Sequence, residues 1–414
     1  MPRYSSAARR FDRLAGPPLC GALGLWDALS RRGREAPHPP KNVSRILVSK
    51  MGNIGDTVLM APAIKSLRHA FPAARISFVA TSHNVEIVSM LGGIDECIFL
   101  DHRRCLASPL YLWRFVRHLQ SGRYQIAIDF DQWQHLPPLY LYLAGIPVRL
   151  GFDTAGERRA GLFSRCVPYN EDENSPGHEA EYFERLVEAL GVPSSNAAPE
   201  LVIDREDDRA VSTLLERQSI PAGDRIVIVY PSGRAKGGIS RAWSADRFVE
   251  LCNHIVASHG CTLVFVGGPD EREEAEAIAA RVRGRPLVAN GTLSLGRLAA
   301  LLRRASLFVG NEGGPMHVAA AVGVPCVSLF GPTNASRWGA YGQGHINVVA
   351  DVPCSPCFFL GAKRRDCVRQ GACMDSISLD AVKRAVDEVL ARALPQRVEA
   401  ESQRSRFPVP LSEK

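Results

Sequence analysis

Along most of the chain, short unbroken runs of apolar and β-branched residues alternate with longer stretches whose apolar positions recur at helical spacing. RILVSK (45–50), RISFVAT (75–81), CIFLD (97–101) and QIAIDF (125–130) form a first set of runs. A polar, proline-containing stretch at 191–200 interrupts the pattern. It resumes with RIVIVYPS (225–232), TLVFVGG (262–268), PLVAN (286–290), LFVGNE (307–312) and CVSLFG (326–331). The intervening segments 57–70, 244–258, 270–282 and 294–304 have helical spacing. Short apolar runs separated by helices predict parallel strands covered on both faces. Two such sets predict an α/β chain of two doubly wound, Rossmann-like domains, 43–200 and 201–392. The stretch 379–392 is expected to be a closing helix, followed by a polar tail, 393–414, and no solenoid-length repeat is evident.

Composition changes this picture only at the N-terminus. The net charge is +7, but residues 1–45 hold nine basic and three acidic residues, so the body is nearly neutral. A neutral body argues against a nucleic-acid-binding fold, which carries a basic face. No apolar window reaches the roughly 18 residues of a membrane span. In the leader 1–42, LCGALGLWDAL is flanked by arginines. Pro17, Pro18 and Asp27 argue against a cleaved secretory signal. Two readings stand side by side: a peripheral segment lying on anionic lipid, and a solvated leader. Eleven cysteines in 414 residues do not define a disulfide scaffold. Reduced thiols and a cytoplasmic location are the expectation.

Ligands of open α/β sheets bind beyond the C-terminal ends of the strands, so a cleft between two such domains is the expected site. Three loops at strand ends carry candidate chemistry. In KMGNIGDTVLMAP (50–62), Gly52 and Gly55 bracket a tight turn and Asp56 sits at the mouth of a helix. Asp56 reads either as a helix cap or as a general base facing the cleft. The spacing is not G-x-G-x-x-G, which disfavours a dinucleotide enzyme. In NEGGPMH (311–317), glycines let backbone amides approach a ligand, and Pro315 is expected in the first turn of a helix whose N-terminus attracts an anion such as a diphosphate. Glu312, Gly313, Gly314 and His317 are the candidate donor contacts, with a capped turn and a core histidine as the bland reading. In PSGRAKGGISRAW (231–243), Ser232, Lys236 and Arg241 fit a second contact with a diphosphate, or a solvated loop. In DFDQWQ (129–134), Asp131 and Gln132 are candidates for touching an acceptor sugar.

The order of these motifs over about residues 43 to 392 resembles the ADP-heptose:lipopolysaccharide heptosyltransferases of glycosyltransferase family 9. The resemblance implies a GT-B fold: two Rossmann-like domains facing a central cleft, the N-terminal one binding acceptor and the C-terminal one nucleotide sugar. It implies inverting transfer of heptose from ADP-heptose to the inner core of lipopolysaccharide, a lipid-anchored saccharide, at the inner face of the inner membrane. Asp56 matches the family's catalytic base, with Asn53 beside it on the acceptor side. Gly314 and His317 match its diphosphate motif, and Arg241 falls where the family usually has lysine. Glu312 stands where aspartate is usual, and this departure and Arg241 bear on the identity of the donor. The alternatives are another nucleotide sugar or acceptor, such as capsule or protein, and a GT-B protein that binds without catalysis. With helix amides and Arg241 to stabilise a leaving diphosphate, no cofactor is demanded for catalysis. Cys354, Cys357, Cys367 and Cys373 form one C-x-x-C pair with two outlying thiols, a set able to hold a structural zinc, as in a similar segment of some relatives, or simply four reduced thiols.

Overall fold

In a computed structural model of the chain, the described residues are 6–30, 42–171, 176–221, 223–233, 240–359, 367 and 371–404. They form two compact units. One runs to Asp204 and takes back the segment Ser336–Gly342, and the other begins at Arg205.

The first unit holds six parallel strands: β1 (Arg45–Ser49), β2 (Arg75–Ala80), β3 (Glu96–Phe99), β4 (Ile126–Asp129), β5 (Val148–Thr154) and β6 (Arg165–Tyr169). Their order is β3-β2-β1-β4-β5-β6. The second holds β7 (Ile226–Tyr230), β8 (Thr262–Phe265), β9 (Leu287–Val288), β10 (Ala305–Asn311), β11 (Cys326–Phe330) and β12 (Ile346–Val349), ordered β12-β11-β10-β7-β8-β9 and also parallel throughout. Both sheets are the doubly wound 3-2-1-4-5-6 order, whose direction of winding reverses between the first and fourth strands of each set. Those pairs are β1 with β4, in register at Ser49 and Asp129, and β7 with β10, in register at Tyr230 and Gly310. The loops leaving these four strands therefore flank the two crevices where such folds take ligands.

Helices cover both faces. Val227, Val229, Leu307, Val309, Val327 and Leu329 pack with Phe248, Leu251 and Ile255 of one helix and Val382, Val386 and Leu390 of another, all at most 2% exposed. Leu47, Val79 and Ala127 in the first sheet meet Phe115, Leu119, Tyr140 and Leu141.

The leader contributes a helix, Ser6–Ser30, that continues through Pro17 and Pro18. It docks on the first unit by close approach. A Cβ at Gly16 would lie 2.3 Å from the His135 ring, and one at Gly24 would lie 3.0 Å from the Gly161 Cα. Cys20 joins Leu139 and Leu162 in a small apolar cluster. The opposite side of the helix presents Leu14, Leu25, Trp26 and Leu29, each at least half exposed. No helix among the described residues is long and apolar enough to cross a membrane.

Candidate active site

In the first unit, β1 ends at Ser49 and the chain turns through Met51–Asn53 into a short helix, Ile54–Val58. Asp56 lies in the first turn of that helix. Its Oδ2 meets the Asn53 amide and Nδ2, both at 3.4 Å, the outer limit for a hydrogen bond. The capping role is thus filled only loosely, and the carboxylate remains partly exposed. Gly52 is required by proximity: a Cβ there would lie 2.6 Å from Lys50 Cε and 3.1 Å from Asp56 Oδ2.

Behind Asp56 the groups are buried and paired with one another. Lys50, only 1% exposed, donates from Nζ to Gln132 Oε1 at 2.7 Å and to the Phe130 carbonyl at 3.0 Å, and it lies 3.8 Å from Asp131 Oδ1. Asp131 Oδ2 accepts from the Met51 amide at 2.7 Å, which ties the β4 loop to the β1 loop. Gln132 Nε2 donates to Glu179 Oε1 at 2.5 Å, and Glu179 Oε2 accepts from Arg337 Nε at 2.6 Å and Tyr169 Oη at 3.1 Å. One step further, Asp129 pairs with Arg159. Burial pushes the Asp131 carboxyl up, with Lys50 as the main opposing charge. Burial likewise raises Glu179, opposed first by Arg337. The negative charge of Asp56 adds to the upward push on both.

Asp131 and Gln132 were expected to face an acceptor sugar. They are 1% and 3% exposed, and they act instead as internal braces for Lys50, Met51 and Glu179. The reason is the register: they leave β4 beside the end of β1, where a buried lysine needs acceptors. Asn53 is exposed at the turn, next to Asp56.

In the second unit, β10 runs through Asn311 into Glu312 and Gly313, and the helix Gly314–Ala321 begins with Pro315 in its first turn. Tyr230, at the end of β7, forces the small residues. A Cβ at Gly310 would lie 2.2 Å from the Tyr230 carbonyl oxygen, and one at Gly313 would lie 3.0 Å from its ring. The first-turn amides of this helix have no partners four residues back, and with the helix dipole they make an anion-binding end. His317 sits in that first turn, 7% exposed. Arg241 Nη1 pairs with Glu312 Oε1 at 2.8 Å, and Thr333 Oγ1 donates to the same oxygen at 2.5 Å. Ser232 is buried and donates to Glu274 Oε2 at 3.1 Å. Lys236 lies outside the described residues.

Several structural residues escaped the sequence reading. Asn311 is fully buried, donates to the Pro231 carbonyl at 2.5 Å and accepts from the Trp243 amide at 3.3 Å, so one amide fastens two loops. Its position in NEGGP was visible but its job was not. Asn84 does the same in the first unit, donating to the Lys50 carbonyl at 2.8 Å. Lys50 itself carried a signal, a lysine closing an otherwise apolar strand run. Glu179 and Arg337 are 158 residues apart and carried none.

The four cysteines are neighbours, since Cys357, Cys367 and Cys354 all act electrostatically on Cys373, whose thiol is pushed up mainly by burial. They are not gathered into a compact cage. Among the described residues, only His254, His259 and Asp387 bring three donor atoms within 4.8 Å of one another.

Two doubly wound units, with a partly exposed aspartate at one switch point and a glycine-rich helix start at the other, are the architecture of the GT-B fold. Residues 112–365 match the model of glycosyltransferase family 9 (heptosyltransferase), and the chain belongs to that family. It is 26% identical to lipopolysaccharide heptosyltransferase 1 of Pseudomonas aeruginosa over 86% of this chain and 96% of that one. It is 24% identical to lipopolysaccharide heptosyltransferase 3 of Escherichia coli K12 over 70% and 84%. Its fold is similar to a family 9 glycosyl transferase from Veillonella parvula (TM-score 0.71, 23% identity, 86% of this chain and 99% of that one). It is also similar to the E. coli heptosyltransferase WaaC with ADP (TM-score 0.63, 20% identity, 83% and 99%).

Proposed function

We propose that this enzyme transfers heptose from ADP-heptose to a lipid-anchored inner-core saccharide with inversion, in one displacement. The observation that carries the proposal is the contrast at the β1 turn: Asp56 keeps a partly exposed carboxylate with only 3.4 Å contacts, while every carboxylate behind it is engaged. In this reading Asp56 takes the proton of the attacking hydroxyl, and Asn53 orients the acceptor. Gly313 and Gly314 admit the diphosphate to the helix amides, with His317 donating to a phosphate oxygen. Arg241, Ser232 and Lys236 complete the donor contacts. Glu312 uses the oxygen not held by Arg241 and Thr333 to accept from a sugar hydroxyl. Charge building on the leaving ADP is stabilised by groups already in place, and no step needs a cofactor. The nucleotide assignment is supported by the ADP held by WaaC.

Radiolabel transfer from ADP-heptose to a heptose-deficient lipopolysaccharide acceptor is the test. Transfer to the acceptor is expected. Release of ADP from none of a panel of nucleotide sugars would overturn the reading, and transfer only from a different donor would reassign the Arg241–Glu312 pair.

The same proposal places the enzyme on the cytoplasmic face of a membrane, where its acceptor would be. The docked leader helix turns Leu14, Leu25, Trp26 and Leu29 outward beside the exposed Arg13, a combination suited to an anionic lipid surface. Flotation with phosphatidylglycerol vesicles checks this: wild type should float, and Leu25→Ser with Trp26→Ser should stay in the soluble fraction. A structural zinc on Cys354, Cys357, Cys367 and Cys373 remains a proposal supported by their proximity to Cys373. Loss of one zinc per chain in Cys354→Ser with Cys357→Ser is its expected signature.

A further inference from the structure

We infer that the second unit carries a binding site for a divalent transition-metal ion, formed by His254, His259 and Asp387, which clamps the C-terminal helix to the flank of the sheet. His254 and His259 lie five residues apart at the end of the helix Ala245–His259, which Gly260 terminates in the left-handed conformation. Asp387 comes from the helix Leu379–Arg404. His254 Nε2 is 2.8 Å and His259 Nε2 is 2.6 Å from the same oxygen, Asp387 Oδ1. The two rings stand 6.0 Å apart at 82°, so they reach the shared point from different directions.

Two imidazole nitrogens and one carboxylate oxygen are the donor set of Zn²⁺ and its borderline neighbours, not of the hard ions Ca²⁺ or Mg²⁺. Tetrahedral ligands at about 2.0–2.2 Å from zinc stand roughly 3.3 Å apart. The two nitrogen–oxygen spacings here, 2.8 and 2.6 Å, are tighter by roughly half an ångström, so the ligands must move slightly apart to admit the ion. As each Nε2 becomes a ligand, the proton it donated to Asp387 moves to the ring's own Nδ1 or is released to solvent. The Nδ1 of His254 then carries the proton, and Ser258 Oγ, 3.4 Å away, is placed to accept it, the outer contact that usually orients a ligating histidine. The residues are 24%, 18% and 43% exposed at the side chain, which leaves solvent access for the ion and for a completing water.

The location assigns the role. The helix Ala245–His259 ends just before β8 begins, at the end of the sheet opposite the strand ends that lead to Ser232 and Gly314. An ion there takes no part in transfer. It fastens together two helices that otherwise meet through apolar packing, and it stabilises the folded unit by mass action.

The test uses full-length, metal-stripped protein carrying Cys354→Ser and Cys357→Ser, so that the thiols do not contribute. Zinc is titrated with isothermal calorimetry and the melting temperature is followed in parallel. One equivalent should bind and raise the melting temperature. His254→Gln with His259→Gln should abolish both effects. Asp387→Asn keeps an oxygen for the imidazoles to donate to but removes the anionic ligand, and should weaken binding at least roughly tenfold while leaving the metal-free melting temperature near that of the parent. Absence of binding in the cysteine-substituted parent, or an unchanged equivalent in the histidine and aspartate variants, overturns the proposal and leaves the trio a hydrogen-bonded clip.

Discussion

The two units share one strand order and differ in what they put at the point where it reverses. In the first unit the β1 and β4 loops are knitted by buried titratable side chains and one amide: Lys50, Asp131, Gln132 and Glu179 brace one another behind Asp56. In the second unit the β7 and β10 loops are joined by a neutral amide, Asn311, and the space is made by removing side chains at Gly310 and Gly313. The lesson concerns electrostatic preparation. The site proposed to hold a carboxylate ready for a proton is backed by buried, mutually compensating polar groups in low dielectric. The site proposed to receive a diphosphate is built from backbone dipoles and room.

The largest effect is expected where that contrast is sharpest. Asp56→Asn removes the proposed base while keeping shape and the loose cap. Loss of a positioned base costs 10²- to 10⁴-fold, so kcat should fall by about 10³-fold, with calorimetric ADP affinity unchanged because the diphosphate chemistry lies in the other unit. A parallel fall in ADP affinity would break the division of labour.

Next in size is Lys50→Met, which leaves the buried carboxyls of Asp131 and Asp129 with one cation fewer. Breaking a buried charge pair from one side costs about 3–5 kcal/mol. The variant should melt well below wild type in the first transition of a calorimetric scan. Survival of both stability and activity would mean that the network is decorative and the two switch points are more alike than described.

How much of this was legible in the sequence follows from the same contrast. The second unit's site was nearly complete on the page, because glycine, proline and a helix start are local signals. Nine of the strands were visible as apolar runs. β5 and β6 were not. Arg149 interrupts the first, yet it is 2% exposed and donates to the Leu162 and Ile146 carbonyls. Pro168 sits in the second, which is an edge strand where proline is tolerated. β12 was also missed, a short edge strand only partly buried. The role of the first unit's polar braces is not legible in the chain, because burial decides it, and burial is a property of register. Asp131 looked like a ligand contact in the chain and is an internal strut in the fold. The docking of the leader helix is not legible in the chain, since it depends on Gly16 meeting His135 and Gly24 meeting Gly161, contacts more than a hundred residues away in sequence.

Arg241→Ala should act on the other side of the comparison. It removes a charge-assisted contact worth about 1.5–3 kcal/mol, so ADP affinity should drop roughly ten- to hundredfold while the melting temperature of the first unit stays put. Arg241→Lys with Glu312→Asp restores the more usual residue pair at once. It should recover more donor affinity than either single change, because each alone leaves the 2.8 Å pair mismatched in length. Additive single and double effects, measured by calorimetry, would show that the two residues act independently.

The smallest effect returns to the first unit, where charge again does the fastening. His135 Nδ1 lies 3.1 Å from Asp12 Oδ2, and Nε2 lies 2.9 Å from the Glu157 carbonyl and 3.3 Å from its carboxylate. Burial pulls the imidazole pKa down, but Asp12 and Glu157 outweigh it and hold the group at about 9. The folded value lies above the ordinary value of 6.5, so the charged pair's contribution is fully present below pH 6.5. It fades as pH rises through about 9, when the proton is lost. Glu157 is a quarter exposed, and solvent screening limits the contribution to about 1 kcal/mol. The leader helix should therefore loosen between pH 8 and 10 without unfolding the unit, read as a fall in amide protection factors confined to residues 12–30. His135→Gln should remove the pH step and leave protection in the helix at its lower, alkaline level throughout. A helix whose protection is flat across that range in wild type would place its docking energy in Cys20, Leu139 and Leu162 alone, and would make apolar packing, not charge, the fastening of this part of the first unit.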